Sequence, residues 1–158
     1  MKIIIIISKN VNETISLGEK IAKFLFKGSV ITLNGDLGAG KTTFTKGIGK
    51  GLNIKEEINS PTFNILKCYF NKNGLNMYHI DAYRLEDVPN ENKNIGLEEV
   101  IEGDGVTLIE WDKFIKEFID YDLSLNIEIL INEDNTRKFI IESKNNQYSK
   151  LFEELKND

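Results

Sequence analysis

The chain opens with five consecutive isoleucines, Ile3 to Ile7, followed by the polar stretch Ser8-Lys9-Asn10. A run this short reads as a buried strand, since a membrane span needs roughly 20 apolar residues and a signal peptide a longer apolar stretch with a cleavage site behind it. Behind Asn12-Glu13-Thr14, the residues Ile15, Leu17, Ile21, Phe24 and Leu25 recur at roughly helical spacing, which predicts a helix over 12–27 that stops at Gly28. A strand over 30–34 and a helix over about 41–51 come next. Two apolar runs, 63–70 and 75–81, flank Asn71-Lys72-Asn73-Gly74, whose turn composition predicts an antiparallel hairpin. Residues 84–104 are charged and mixed, with a short helix around Leu97 to Ile101. A strand over 106–109 runs into Glu110-Trp111-Asp112. A helical turn near 112–119, alternating strands at 123–131 and 137–142, and a terminal helix over about 147–156 complete the pattern.

Composition bounds this picture without changing it. The 158 residues, 41% of them hydrophobic, fit one domain over 1–158 with a sizeable core, and the two prolines, Pro61 and Pro89, fall where loops are expected. Cys68 is the lone cysteine, so neither an internal disulfide nor a cysteine-rich metal site is available, and a reducing cytoplasm suits the chain. Its place in an apolar run makes it a small buried filler. A net charge of −5 argues against a direct grip on nucleic acid, which usually shows a basic face.

The strand over 30–34 feeds Gly35-Asp36-Leu37-Gly38-Ala39-Gly40-Lys41-Thr42, an ungapped match to G-x-x-x-x-G-K-[ST]. In that pattern the glycine turn aims backbone N–H groups at phosphates, the lysine reaches the outer phosphates and the threonine offers a hydroxyl to Mg2+. The helix after it presents its positive end to the same anion. Strands and helices alternating around such a loop predict an α/β fold, a P-loop NTPase-like mixed, mainly parallel sheet with helices on both faces and its ligand at the carboxyl ends of the strands. A phosphate site with Mg2+ also needs carboxylates. Asp81 and Glu110 each end an apolar strand, and the residues leave open which of them meets the metal and which orients the nucleophile. Thr62 reads either as a loop hydroxyl that senses the γ-phosphate or as part of a turn. His79 reads as packed within its strand, and Trp111, next to Glu110, as a residue that packs in the core or lines the site.

Guanine-specific P-loop proteins usually add N-K-x-D, and both Asn71-Lys72-Asn73-Gly74 and Asn92-Lys93-Asn94-Ile95 lack the aspartate, which favours ATP. The dinucleotide pattern G-x-G-x-x-G fails at Thr43. Three activities stay open: ATP hydrolysis, phosphoryl transfer to a metabolite, and a nucleotide-gated scaffold. A small kinase commonly uses several arginines, and Arg84 and Arg137 are the only two among 20 Lys and Arg.

Four blocks in order resemble a single family. They are the P-loop run through Thr43-Phe44, then Ser60-Pro61-Thr62-Phe63, then His79-Ile80-Asp81-Ala82-Tyr83-Arg84-Leu85, and Leu108-Ile109-Glu110-Trp111. Together they resemble the bacterial tRNA threonylcarbamoyladenosine biosynthesis ATPases, TsaE, also called YjeE. The resemblance implies a small Mg2+-dependent ATPase in the cytoplasm that works with the TsaB and TsaD proteins, meets tRNA only through that complex, and involves no membrane. It implies that Asp36, Leu37, Gly38, Ala39, Gly40, Lys41, Thr42 and Thr43 hold the nucleotide, that Lys41, Asp81 and Glu110 serve the chemistry, and that Thr42, Asp81 and Glu110 surround the metal. By the same implication Thr62 belongs to a switch-like loop and Trp111 lies beside the site. Arg84 stabilises the transition state or faces a partner. Thr14 and Arg137 are further candidates for adenine or ribose contact, which their spacing does not require. Members often carry Leu where this chain has Ala82, and Pro where it has Asp112, and the stretch Pro89 to Asn94 looks like an inserted surface loop.

Overall fold

The isoleucine run forms a strand, but only Ile4 and Ile6 are even partly buried. In the computed structural model, which describes residues 1–60, 64–89, 93 and 96–157, β1 (Lys2–Ser8) lies at the sheet edge and pairs antiparallel with β7 (Arg137–Ser143). Ile4 and Ile6 pack against the main core, whereas Ile3, Ile5 and Ile7 are 57%, 53% and 46% exposed. The expectation of a buried strand is therefore corrected. A strand has two faces of alternating side chains, and at this edge one face has no layer over it.

The first helix, α1 (Val11–Ala22), begins behind Asn10, whose side-chain oxygen accepts the Glu13 N–H at 2.9 Å; Glu13 Oε1 in turn accepts the Lys9 N–H at 3.0 Å. It ends at Ala22 instead of residue 27. Phe24, Leu25 and Phe26 are adjacent and apolar, and successive helical positions point about 100° apart, so one helix face cannot bury all three. The chain unwinds instead. Leu25 enters the core, the Phe26 ring packs tilted with its centroid 5.3 Å from that of Tyr148, and Ser29 Oγ accepts the freed Phe26 N–H at 2.9 Å.

The other strands are β2 (Val30–Gly35), β3 (Leu66–Tyr69), β4 (Met77–Asp81), β5 (Val106–Glu110) and β6 (Leu125–Ile131). The other helices are α2 (Lys41–Gly51), α3 (Leu97–Ile101) and α4 (Ser149–Lys156). The sheet order is β1-β7-β6-β2-β5-β4-β3. β2 runs parallel to β5 and β6, and β4 runs parallel to β5, while β3 and β7 run against their neighbours. The sheet is thus mixed and mainly parallel, and β3 and β4 form the predicted hairpin. Thr62 and most of the 89–94 stretch lie outside the described residues. Lys93 of that stretch is buried, its ammonium donating to the Phe114 carbonyl at 2.6 Å, so at this point the expected surface loop is anchored inward.

Helices cover both faces of the central strands. On one side α1, α2 and α4 close over Ile31, Leu33, Leu108, Ile127 and Phe139, with the Phe44 and Phe139 rings 5.5 Å apart. On the other, α3 and the 3-10 turns after β5 cover Ile80, Ile109 and Val30. α1 and α2 touch closely: a Cβ on Gly47 would fall 2.4 Å from the Ile15 carbonyl oxygen, so a glycine is required where the two backbones meet. That contact seats α2, and with it the loop leaving β2, above the carboxyl ends of β4 and β5.

Candidate nucleotide-binding site

β2 breaks at Gly35 into the glycine loop, which re-enters the fold as α2. Gly38 and Gly40 take φ of 81° and 107°, left-handed values that side chains resist, and Gly40 precedes α2 with no side chain capping the helix. The first N–H groups of α2 therefore remain available to an anion. Behind the loop, Arg137 holds its carbonyls back: Nε donates to the Ala39 oxygen at 3.1 Å and Nη2 to the Gly38 oxygen at 3.4 Å. Those two bonds, reaching 98 and 99 residues back along the chain, give Arg137 a bracing task that its position in the sequence did not reveal.

The loop faces a cavity of about 730 Å³ lined by Asp36, Leu37, Gly38, Gly40, Lys41, Thr42, Thr43, Ser60, Asp81, Tyr83, Glu110 and Trp111. Ala39 is fully buried and faces a smaller recess of about 230 Å³ with Ser8, Thr14 and Arg137. There Ser8 Oγ donates to the Asn10 carbonyl at 3.0 Å, so in the 2.7 Å contact between hydroxyls it is Thr14 that donates to Ser8. Thr14 and Arg137 thus stand together beside the loop. Arg84 is exposed and does not line either recess.

Asp81 and Glu110 are register partners on β4 and β5, so both carboxylates rise from the same face at the same end of the sheet. Their surroundings differ. Glu110 is 5% exposed, with Oε1 3.5 Å from Lys41 Nζ and Oε2 2.6 Å from His79 Nε2. Burial pushes its carboxyl up, but the hydrogen bond and attraction of His79 and the Lys41 ammonium outweigh that and hold it below the usual glutamate value. Asp81 is half-buried and accepts the Tyr83 N–H at 3.1 Å. Burial, joined by the repulsion of Glu110, leaves its carboxyl above the usual aspartate value despite that bond.

Three further groups stand beside these residues; the sequence read His79 only as packed within its strand and gave Ser60 and Asp112 no role there. Ser60 Oγ lies 2.6 Å from Thr42 Oγ1, on a segment pinned by the buried Tyr69, whose hydroxyl accepts the Asn59 N–H at 3.2 Å and donates to the Asn59 carbonyl at 3.0 Å. His79 is wholly buried against Glu110; its spacing of two from Asp81 along one strand was the signal that both share a face. Asp112 accepts from Asn34 Nδ2 at 2.8 Å and from the Tyr121 hydroxyl at 2.6 Å, tying the residue before the glycine loop to the turn after Glu110. Burial and that carboxylate push the Tyr121 phenol up. Trp111 occupies the turn at φ 59°, ψ 44°, a conformation uncommon outside glycine, with its ring stacked 5.9 Å from Phe114 and 5.5 Å from Lys41 Nζ. It lines the cavity and packs at once.

A central strand that opens into a glycine loop and closes again as a helix, with acids at the ends of the strands beside it, is the architecture of the P-loop nucleotide-binding proteins, and this chain is one of them. Its place within that class is specific. Residues 8–139 match the family described as threonylcarbamoyl adenosine biosynthesis protein TsaE, and the chain belongs to that family. The tRNA threonylcarbamoyladenosine biosynthesis protein TsaE of Bacillus subtilis is 44% identical over 146 residues, covering 92% of this chain and 89% of that protein. Its counterpart in Treponema pallidum is 38% identical over 125 residues, covering 78% and 90%. The crystal structure of YdiB from Bacillus subtilis superposes with a TM-score of 0.79 at 37% identity, covering 99% of this chain and 95% of that one. Among the described residues no helix is long and apolar enough to cross a membrane.

Proposed function

We propose that the chain hydrolyses ATP in support of threonylcarbamoyladenosine formation on tRNA, in the cytoplasm and together with TsaB and TsaD, through which it meets tRNA. The observation that carries the hydrolysis reading is the convergence of Lys41, the α2 N-terminus, Asp81 and Glu110 on one cavity. The P-loop N–H groups and Lys41 stabilise charge that builds on the phosphates as the β–γ bond breaks, while a carboxylate orients the attacking water. Thr42, Asp81 and Glu110 are hard oxygen donors on that cavity, a set that suits Mg2+ sharing its coordination with phosphates. Bound there, Mg2+ would neutralise phosphate charge. The recess holding Ser8, Thr14 and Arg137, beside the loop, is the place for ribose or adenine.

The test is phosphate release from ATP and tRNA modification, each with and without TsaB and TsaD, with Lys41→Ala as control. Slow release alone, faster release with the partners and loss of both in the variant are expected. Modification untouched by Lys41→Ala would favour a nucleotide-independent scaffold, and transfer of the phosphoryl group to a metabolite would favour a kinase.

A further inference from the structure

His79 is wholly buried on β4, two residues before Asp81 and on the same face. Its Nε2 lies 2.6 Å from Glu110 Oε2. An ionised carboxylate only accepts, so Nε2 carries the hydrogen and donates. Nδ1 has no hydrogen-bond partner among the described residues. Packing alone does not account for a histidine here, because a leucine fills similar space without leaving a buried nitrogen unpartnered.

The two oxygens of Glu110 are divided between two donors: Oε1 faces Lys41 Nζ at 3.5 Å, and Oε2 faces His79. A P-loop lysine is drawn to the outer phosphates when nucleotide enters. Oε1 then loses its partner, and a glutamate side chain with three rotatable bonds would be free to swing away from the cavity. We propose that His79 is a positioning residue whose Nε2–H grips Glu110 Oε2, keeping Oε1 aimed into the nucleotide cavity after Lys41 has turned to the phosphates. This inference rests on the hydrolysis reading above. It gives β4 two tasks on one face, Asp81 in the cavity and His79 beneath Glu110.

The test compares His79→Leu, which removes the donor, with His79→Gln, whose amide nitrogen reaches roughly as far as Nε2, in the full chain with its partner proteins. His79→Leu is expected to lower kcat about 10–100-fold, the scale of a misplaced reacting group, with KM and affinity for a non-hydrolysable ATP analogue within about twofold of the parent. His79→Gln is expected to recover most of the rate. A kcat for His79→Leu within about twofold of the parent overturns the proposal, as does a His79→Gln rate as low as that of His79→Leu with analogue binding intact. If His79→Leu does not fold, His79→Asn, whose shorter amide stops short of Glu110, takes its place with the same expectations. Absence of phosphate release from the parent protein, with partners present, would sink the hydrolysis reading instead. The positioning claim is then read from crystal structures of the variants with the analogue: Glu110 displaced in the donor-less variant and held in His79→Gln supports it, and Glu110 unmoved in both overturns it.

Discussion

The two halves of the sheet are built to different rules. β2, β5 and β4 are parallel neighbours, and parallel strands need crossovers that lay helices and turns over both faces. Every residue of β5 is buried in consequence, including Glu110. On the other side, β6, β7 and β1 are joined antiparallel, β6 to β7 by a tight turn, so no layer has to cross their second face. There Ile3, Ile5, Ile7 and Leu130 remain exposed beside Glu128. The parallel half carries the chemistry because its strands end together where the glycine loop leaves β2. The antiparallel half contributes Arg137, which braces the loop from behind, and Ser8, which lines the recess beside it. Buried ionisable groups are tolerated in the first half because they are partnered: an unpaired charge would be costly there, and Glu110 has both His79 and Lys41.

The largest expected effect separates the two faces of the antiparallel half. Phe139→Ala should cost about 3–5 kcal/mol, since Phe139 is fully buried against Phe44. Ile5→Ser, on the open face, should stay within about 0.5 kcal/mol. Urea unfolding of both variants measures this, and a comparable loss in Ile5→Ser would mean that the open face is covered in solution.

On the parallel half, Lys41→Ala should reduce phosphate release on the order of 10²–10³-fold, and Asp81→Ala and Glu110→Ala should each lower it with the fold intact by circular dichroism. Normal turnover in both carboxylate variants would remove those acids from the site. A smaller effect links the halves. Arg137→Lys keeps the charge but loses the fork that holds the Gly38 and Ala39 carbonyls, so nucleotide affinity should weaken about 5–10-fold. Titration calorimetry with an ATP analogue would show it, and unchanged affinity would confine Arg137 to folding.

The smallest effect is the pH signature of the carboxylate pair. Glu110 is held low, so it contributes stability above the ordinary glutamate value that is lost as pH falls through its lower folded value. Asp81 is held high, so its ionisation works against the fold as pH rises from the ordinary aspartate value through its higher folded one. At neutral pH, Asp81→Asn should therefore raise Tm slightly and Glu110→Gln should lower it. Below the carboxylate range the difference should shrink. Thermal melts across acidic and neutral pH would check it, and equal shifts of one sign would contradict the separate environments of the two acids.

The local chemistry of this protein was legible in its residues. The P-loop needs contiguous glycines, a lysine and a threonine, and contiguity survives in sequence; strand periodicity likewise placed Asp81 and Glu110 at strand ends. The hairpin of β3 and β4 followed from its turn residues. Only the tertiary structure decided which partners those residues meet. Sequence periodicity tells which residues share a face but not whether a layer covers it, so the isoleucine run read as buried although one face of it is open. The end of α1 at Ala22 depended on where Tyr148 and the core lie, far along the chain. His79 bonds Glu110, Asn34 bonds Asp112 and Arg137 bonds the carbonyl oxygens of the glycine loop only because strand order brings distant segments together. A loop can write its chemistry into adjacent residues. A buried pair is written by the register between strands, and that register is settled when the sheet assembles.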